Sequence, residues 1–157
     1  MHRTHHDLPL STRKAMADLL NLRLADLAAG QAAAKQAHWT VRGPGFIAVH
    51  ELFDQVAEAV EDFADLVAER IQQLGGHALG TLEAAVKATE LPPYPVAAVT
   101  VDEHIEALAS LLSRIAANFR AAIDLATTAE DAATGDLFTE VVRGLDKYVW
   151  FIEAHQD

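Results

Sequence analysis

The chain contains no cysteine, which excludes both disulfide cross-links and thiolate metal sites. Aromatic residues are scarce at 6%, although 51% of the chain is hydrophobic, much of it alanine and leucine. That balance suits a helical protein and does not fit a disordered one. Basic residues are also few, 12 Lys and Arg against 23 Asp and Glu, for a formal net charge of −11. A generic nucleic-acid binder would display a basic patch, so this balance argues against one and agrees better with attracting cations. No apolar run approaches the 18 residues of a membrane span, and the opening MHRTHHDLPL lacks the hydrophobic stretch of a signal peptide. The expectation is a soluble cytoplasmic protein without membrane contact. At 157 residues the length is that of one domain with a proper core.

Proline and glycine fall mainly between candidate helices: Pro9, Gly43-Pro44-Gly45, Gly75-Gly76 with Gly80, and Pro92-Pro93-Tyr94-Pro95. They divide the chain into a flexible tail over 1–10 and a bundle domain over 11–157. Segment 11–42 starts at Ser11, a plausible N-cap. Segment 46–74 runs into a Gly-Gly stop. Segment 100–127 opens on Thr100-Val101-Asp102-Glu103, the pattern of a capping box, and a fourth segment covers 132–154. In the second segment Phe46, Val49, Phe53, Val56, Val60, Phe63 and Val67 recur at steps of three and four, the stripe of a helix packed in a bundle. The long 75–99 connection holds a short helical piece, Leu82 to Thr89. Four long helices with one long middle crossover predict an all-α, ferritin-like four-helix bundle with a short extra helix between helices 2 and 3.

Five metal-capable side chains stand out: His38, His50, Asp54, Asp65 and Glu69. His50/Asp54 and Asp65/Glu69 are each i,i+4 neighbours on one helix face. About 16 Å separates the two pairs along a straight helix, so one ion cannot be held by both. The midpoint of 50 and 69 is 59.5, and so is the midpoint of 54 and 65. A two-fold axis crossing near residues 59 and 60 therefore places His50 and Asp54 of one copy opposite Glu69 and Asp65 of another, as an isologous interface requires. At about 100° per residue the metal-capable face lies roughly 150° from the apolar stripe, and so faces away from the subunit's own core. Imidazole and carboxylate without thiolate suit iron, manganese or zinc. Glu58, Glu61 and Asp62 fall near the same axis, where like charges would repel. Cationic partners, extra metal or a tilted crossing would each relieve this. Trp39, beside His38, is placed to take up an oxidising equivalent or to serve as an interfacial aromatic. The remaining features read as structure: the phenylalanine stripe, Trp150 and Phe151 as packing, and His77, His104 and His155 as surface histidines.

The runs KQAHWTVRGPGFIAVHELFDQ, LVAERIQQLGG and LDKYVWFIEAH resemble the Dps family of miniferritins over about residues 12 to 155. The resemblance implies that His38, His50 and Asp54 of one subunit and Asp65 and Glu69 of a two-fold mate form a ferroxidase site. It further implies a hollow homo-dodecamer that oxidises Fe(II), preferably with hydrogen peroxide, and stores Fe(III) mineral, protecting DNA and cell from oxidative damage. Zinc or manganese would fit the same ligands. The family's iron-admitting pores are acidic and three-fold, around the start of the last helix, which makes Asp124, Glu130, Asp131 and Asp136 the candidates here.

The alternative is a nucleoid-compacting protein whose ferroxidase activity is secondary. DNA-binding family members commonly use a lysine-rich tail that neutralises phosphates. Here the tail has Arg3, His2, His5 and His6 but no lysine, so weak or no DNA binding is expected near neutral pH, rising at mildly acidic pH as the histidines charge. The same histidines could hold an accessory metal, although a disordered tail is the reading preferred. A gel-shift series at pH 7.5 and ordinary salt checks this; tight binding there would overturn the reading of the tail.

Overall fold

A computed structural model describes residues 1–156. Five helices follow one another: α1 Leu10–Thr40, α2 Phe46–Gln73, α3 Leu82–Ala88, α4 Val101–Thr128 and α5 Ala132–Glu153. The four long ones form the expected bundle, in which α1 pairs most extensively with α2 and α4 with α5. None of them is long and apolar enough to cross a membrane. Just past α1, Arg42 donates its N–H to the Val99 carbonyl at 2.8 Å, joining the chain before α2 to the chain before α4. Helices α2 and α4 thus start at the same end, and the 74–100 crossover must travel the bundle's length. That is the ferritin-like connectivity, as distinct from up-down-up-down.

Helix ends follow local chemistry. At the foot of α2, Gly75 takes φ 81°, and the N–H groups of Gly76 and Gly75 close on the carbonyls of Ile71 and Gln72, the Schellman arrangement that glycine permits. The Thr100–Glu103 capping box is present as expected. Its carboxylate accepts from the Thr100 and Val99 N–H groups, and these bonds, the Thr100 one foremost, hold the Glu103 pKa below its ordinary value. Between α4 and α5 the same Schellman bonding recurs at Glu130 and Asp131, but the left-handed position is held by Glu130 at φ 59°. Asp131 then caps α5 by accepting from Thr134 N–H at 3.1 Å.

Several sequence expectations need correction. Helix α1 begins at Leu10 behind Pro9, so Ser11 lies inside the first turn and is not the cap. The tail is laid against the bundle: His2 N–H donates to the Gly75 carbonyl, Arg13 binds the Leu8 and Leu74 carbonyls, and Leu8 packs on the core. In the α2 stripe Val49, Phe53, Val56, Val60 and Val67 are buried. Phe63 is only partly so, and Phe46 is 39% exposed with its ring stacked 5.0 Å from that of His50. Phe151 packs as expected, but Trp150 is 65% exposed. His104, read as a surface histidine, is fully buried between α4, the crossover and the end of α1. His77 and His155 are exposed.

Two buried polar knots fasten the crossover and the last turn. Asp26 accepts from Thr89 and Asn118 side chains at 3.0 Å each and pairs with Arg23, tying α1 to the crossover and α4. Asp131 pairs with Arg70 at 2.9 Å, joining the foot of α2 to the head of α5. Removing one partner of such a buried pair costs about 3–5 kcal/mol because the other charge is left alone.

Helices α2 and α5 approach closely where Gly144 faces Phe63. A Cβ at position 144 would stand 2.2 Å from the Phe63 ring, so Gly144→Ala should destabilise by about 1–3 kcal/mol through overpacking. Chemical denaturation would measure this, and the loss should shrink in a Phe63→Leu background, where the ring is gone.

Candidate metal centre

The connection between α1 and α2 turns the chain back so that the last turn of one helix lies beside the first turn of the next. His38 and His50 meet there, their rings stacked at 3.8 Å between centroids and 19° between planes. His38 Nδ1 lies 2.8 Å from the His50 carbonyl, and His50 Nδ1 lies 2.8 Å from the His38 carbonyl. A carbonyl oxygen can only accept, so both Nδ1 atoms carry their protons. In the neutral rings this leaves each Nε2 with its lone pair, the form in which imidazole binds a metal. Neither Nε2 has a hydrogen-bond partner among the described residues.

Asp54 follows His50 by one helical turn, with an oxygen 4.0 Å from His38 Nδ1. Its carboxylate forms an ion pair with Lys35, which lies one turn before His38 on α1. The hydrogen bond from Lys35 is the main reason the Asp54 pKa is lowered, with smaller contributions from the charges of His38, Lys35 and His50 against a modest desolvation. His38, His50, Asp54, Glu51 and Glu58 line one open depression. Trp39, 69% exposed, and Ile47, 61% exposed, flank this region in sequence.

Asp65 lies in a second depression further along α2, with Glu61 and Asp62. Asp65 and Glu69 are exposed and make no ion pair or side-chain hydrogen bond among the described residues. The structure therefore brings His38, His50 and Asp54 together and leaves Asp65 and Glu69 about 16 Å away by helix rise. Among the described residues no group of three side chains in one protomer is arranged to hold a metal ion. Glu58, Glu61 and Asp62 are exposed along the same face.

Of the four acidic residues considered for a pore, Asp124, Glu130 and Asp136 are exposed. Asp131 is 2% exposed, and its oxygens are taken up by Arg70, Thr134 N–H and the Thr134 hydroxyl. A carboxylate so committed is a helix cap and not a channel lining. Sequence reasoning missed Lys35. Its only signal was an i,i+3 offset from His38, which cannot reveal a carboxylate 19 residues away.

Comparison with known proteins agrees with this architecture. A family model described as a ferritin-like domain matches residues 17–157. The chain is 42% identical over 154 residues to a DNA protection during starvation protein of Agrobacterium fabrum, covering 98% of this chain and 95% of that protein. It is 34% identical over 150 residues to a protein named fine tangled pili major subunit from Haemophilus ducreyi, covering 96% and 79%. The solved Dps of Mycobacterium smegmatis superposes with a TM-score of 0.92 at 34% identity, covering 98% of this chain and 93% of that one.

The Asp54 environment can be tested without metal. Replacing Lys35 with Met removes the hydrogen bond that favours the ionised carboxylate, so the Asp54 pKa should rise toward the ordinary carboxylate range. An NMR titration following the Asp54 carboxyl carbon would read the shift; an unmoved titration would show that Lys35 does not set it.

Proposed function

The chain belongs to the ferritin-like family, among its Dps proteins, and from that premise we propose that it is a ferroxidase and iron-storage miniferritin. It oxidises Fe(II), with hydrogen peroxide as the preferred oxidant, and keeps the ferric product inside a hollow dodecamer. Removing ferrous iron and peroxide together protects DNA from hydroxyl radicals. Family membership alone does not decide this, because a fold can host several functions and one relative carries a pilus name. The observation that carries the reading is the histidine pair with both Nδ1 protons spent on backbone, beside Asp54 and with Asp65 and Glu69 unpartnered among the described residues on the same helix.

A divalent cation is the substrate these groups fit. The two imidazoles offer neutral nitrogen donors already oriented by the backbone, so little ordering is needed on binding. Asp54 supplies negative charge, which Lys35 compensates when no cation is present. An arriving Fe(II) takes over that role and releases the ammonium. Asp65 and Glu69 of a two-fold mate complete the ligand set, supplying the carboxylates that favour the ferric state. Binding at this interface also offers the cation that the acidic face of Glu58, Glu61 and Asp62 requires. Zinc or manganese would occupy the same donors. Exposed Trp39, next to His38, is positioned to give up an electron to the oxidant. Asp124, Glu130 and Asp136 form the acidic approach for incoming iron, without Asp131. The protein works in the cytoplasm, and a lysine-free tail held against the bundle gives little for DNA to bind near neutral pH.

Ownership of the site by two chains has a sharp test. Asp54→Ala and Glu69→Ala proteins should each oxidise iron about 10–100-fold more slowly than the parent. When the two are unfolded together and reassembled, random pairing restores roughly one quarter of the sites, because a mixed pair has one site with both halves intact. Stopped-flow absorbance of ferric product reads the rate, and native mass spectrometry reads the assembly. No recovery in the mixture would show that one chain owns the whole site, and unchanged rates in the single variants would defeat the assignment.

A further inference from the structure

A directed chain of hydrogen bonds runs from the crossover through α4 to the last turn of α1, ending two residues past His38. Thr40, the last residue of α1 and the neighbour of Trp39, donates its hydroxyl proton to the Gln36 carbonyl at 2.7 Å. Its oxygen must therefore accept from His104 Nε2, 3.2 Å away. With the His104 proton on Nε2, Nδ1 carries the lone pair and accepts the Tyr94 phenol proton at 2.8 Å. The direction of every bond is set: Tyr94 to His104 to Thr40 to the α1 backbone.

The surroundings favour this arrangement in the neutral state. His104 is fully buried, and desolvation pushes its pKa down, against smaller opposite pulls from the Glu103 charge and the Ala98 carbonyl. Burial also raises the Tyr94 phenol well above its ordinary value, so the phenol does not shed its proton to water. Tyr94 is half-buried and lines a surface depression with Pro92, Pro93 and Pro95. At its inner end the His104 ring lies 6.2 Å from the ring of Phe53, the residue before Asp54.

The geometry points to Tyr94 as a one-electron donor to the oxidation at this site, with His104 as the acceptor of its proton. The inference rests on the ferroxidase reading above. Peroxide needs two electrons to become two waters, and one Fe(II) provides only one. Tyr94 supplies the second as its phenol proton moves to His104 Nδ1, and two protons from solvent complete the waters. The O–O bond breaks, Fe(II) becomes Fe(III), and Tyr94 becomes a neutral phenoxyl radical beside an imidazolium that Glu103 and the Ala98 carbonyl stabilise. A second Fe(II) returns the electron, the proton goes back from His104, and the net reaction oxidises two ferrous ions per peroxide. No hydroxyl radical is released while the site holds a single iron.

Freeze-quench EPR on the assembled protein tests this, with one Fe(II) per site added anaerobically and one equivalent of peroxide. A Trp39→Phe background keeps an indole radical from masking the signal. The chain has 2 tyrosines, so Tyr148→Phe serves as the control. The expected result is a tyrosyl signal that survives Tyr148→Phe and is lost in Tyr94→Phe, accompanied by more spin-trapped hydroxyl radical. His104→Gln should weaken the same signal, and thermal melting confirms that the variants are folded. A merely structural tether would change melting and leave the radical untouched. Normal iron oxidation with an unaltered radical in Tyr94→Phe overturns this inference alone. Absence of iron oxidation in the parent overturns the ferroxidase reading and this inference with it.

Discussion

The reciprocal bonding of His38 and His50 is the constraint on which the site depends. Each imidazole donates to the backbone of the other's helix, so the two helix ends and the two rings are fixed by the same pair of bonds. The usual way to orient a ligating histidine is a carboxylate or carbonyl behind it. Here each histidine supplies that carbonyl for its partner. The arrangement needs the Gly43-Pro44-Gly45 turn to bring residues 38 and 50 into stacking contact, and the glycines adopt φ values of 129° and 72° that side chains avoid. The turn and the paired imidazoles are therefore one device.

Charge explains why such a device can be open and still stable. The outer face of α2 carries Asp54, Glu58, Glu61, Asp62, Asp65 and Glu69, all at least partly exposed. A row of carboxylates on one helix repels itself, and among the described residues Lys35 offsets it at Asp54. Exposure in water keeps the penalty small for the lone subunit. Where carboxylates are buried, the protein supplies partners of its own: Arg23, Thr89 and Asn118 for Asp26, and Arg70 and Thr134 for Asp131. The two buried acids thus serve the fold.

Much of the architecture was legible from residues alone. Helices α2 and α4 were readable because a three-and-four stripe and a capping box are local signals, and the length of the 75–99 connection was enough to choose the crossover topology. The shared midpoint of residues 50, 54, 65 and 69 led to the expectation of two half-sites, and within one chain the two pairs lie about three helical turns apart. What escaped were the long-range side-chain contacts. The Lys35–Asp54 pair, the burial of His104 under Tyr94 and Thr40, the docking of the tail on Gly75 and the commitment of Asp131 to Arg70 all join residues without a shared period. Side-chain type misled in both directions. A histidine without ligand-spaced partners was read as surface although hydrogen bonds let it be buried, and Trp150 was read as packing although one chain leaves it exposed.

The sequence by itself determined the helices, their order and which side chains are candidate donors, because periodicity, capping and spacing act between near neighbours. Only the tertiary structure decided which nitrogen of each histidine keeps its lone pair, which carboxylate already has a cation and which acid is a cap. Those properties depend on the atom that a distant part of the chain places within hydrogen-bonding reach, and no local pattern encodes that distance.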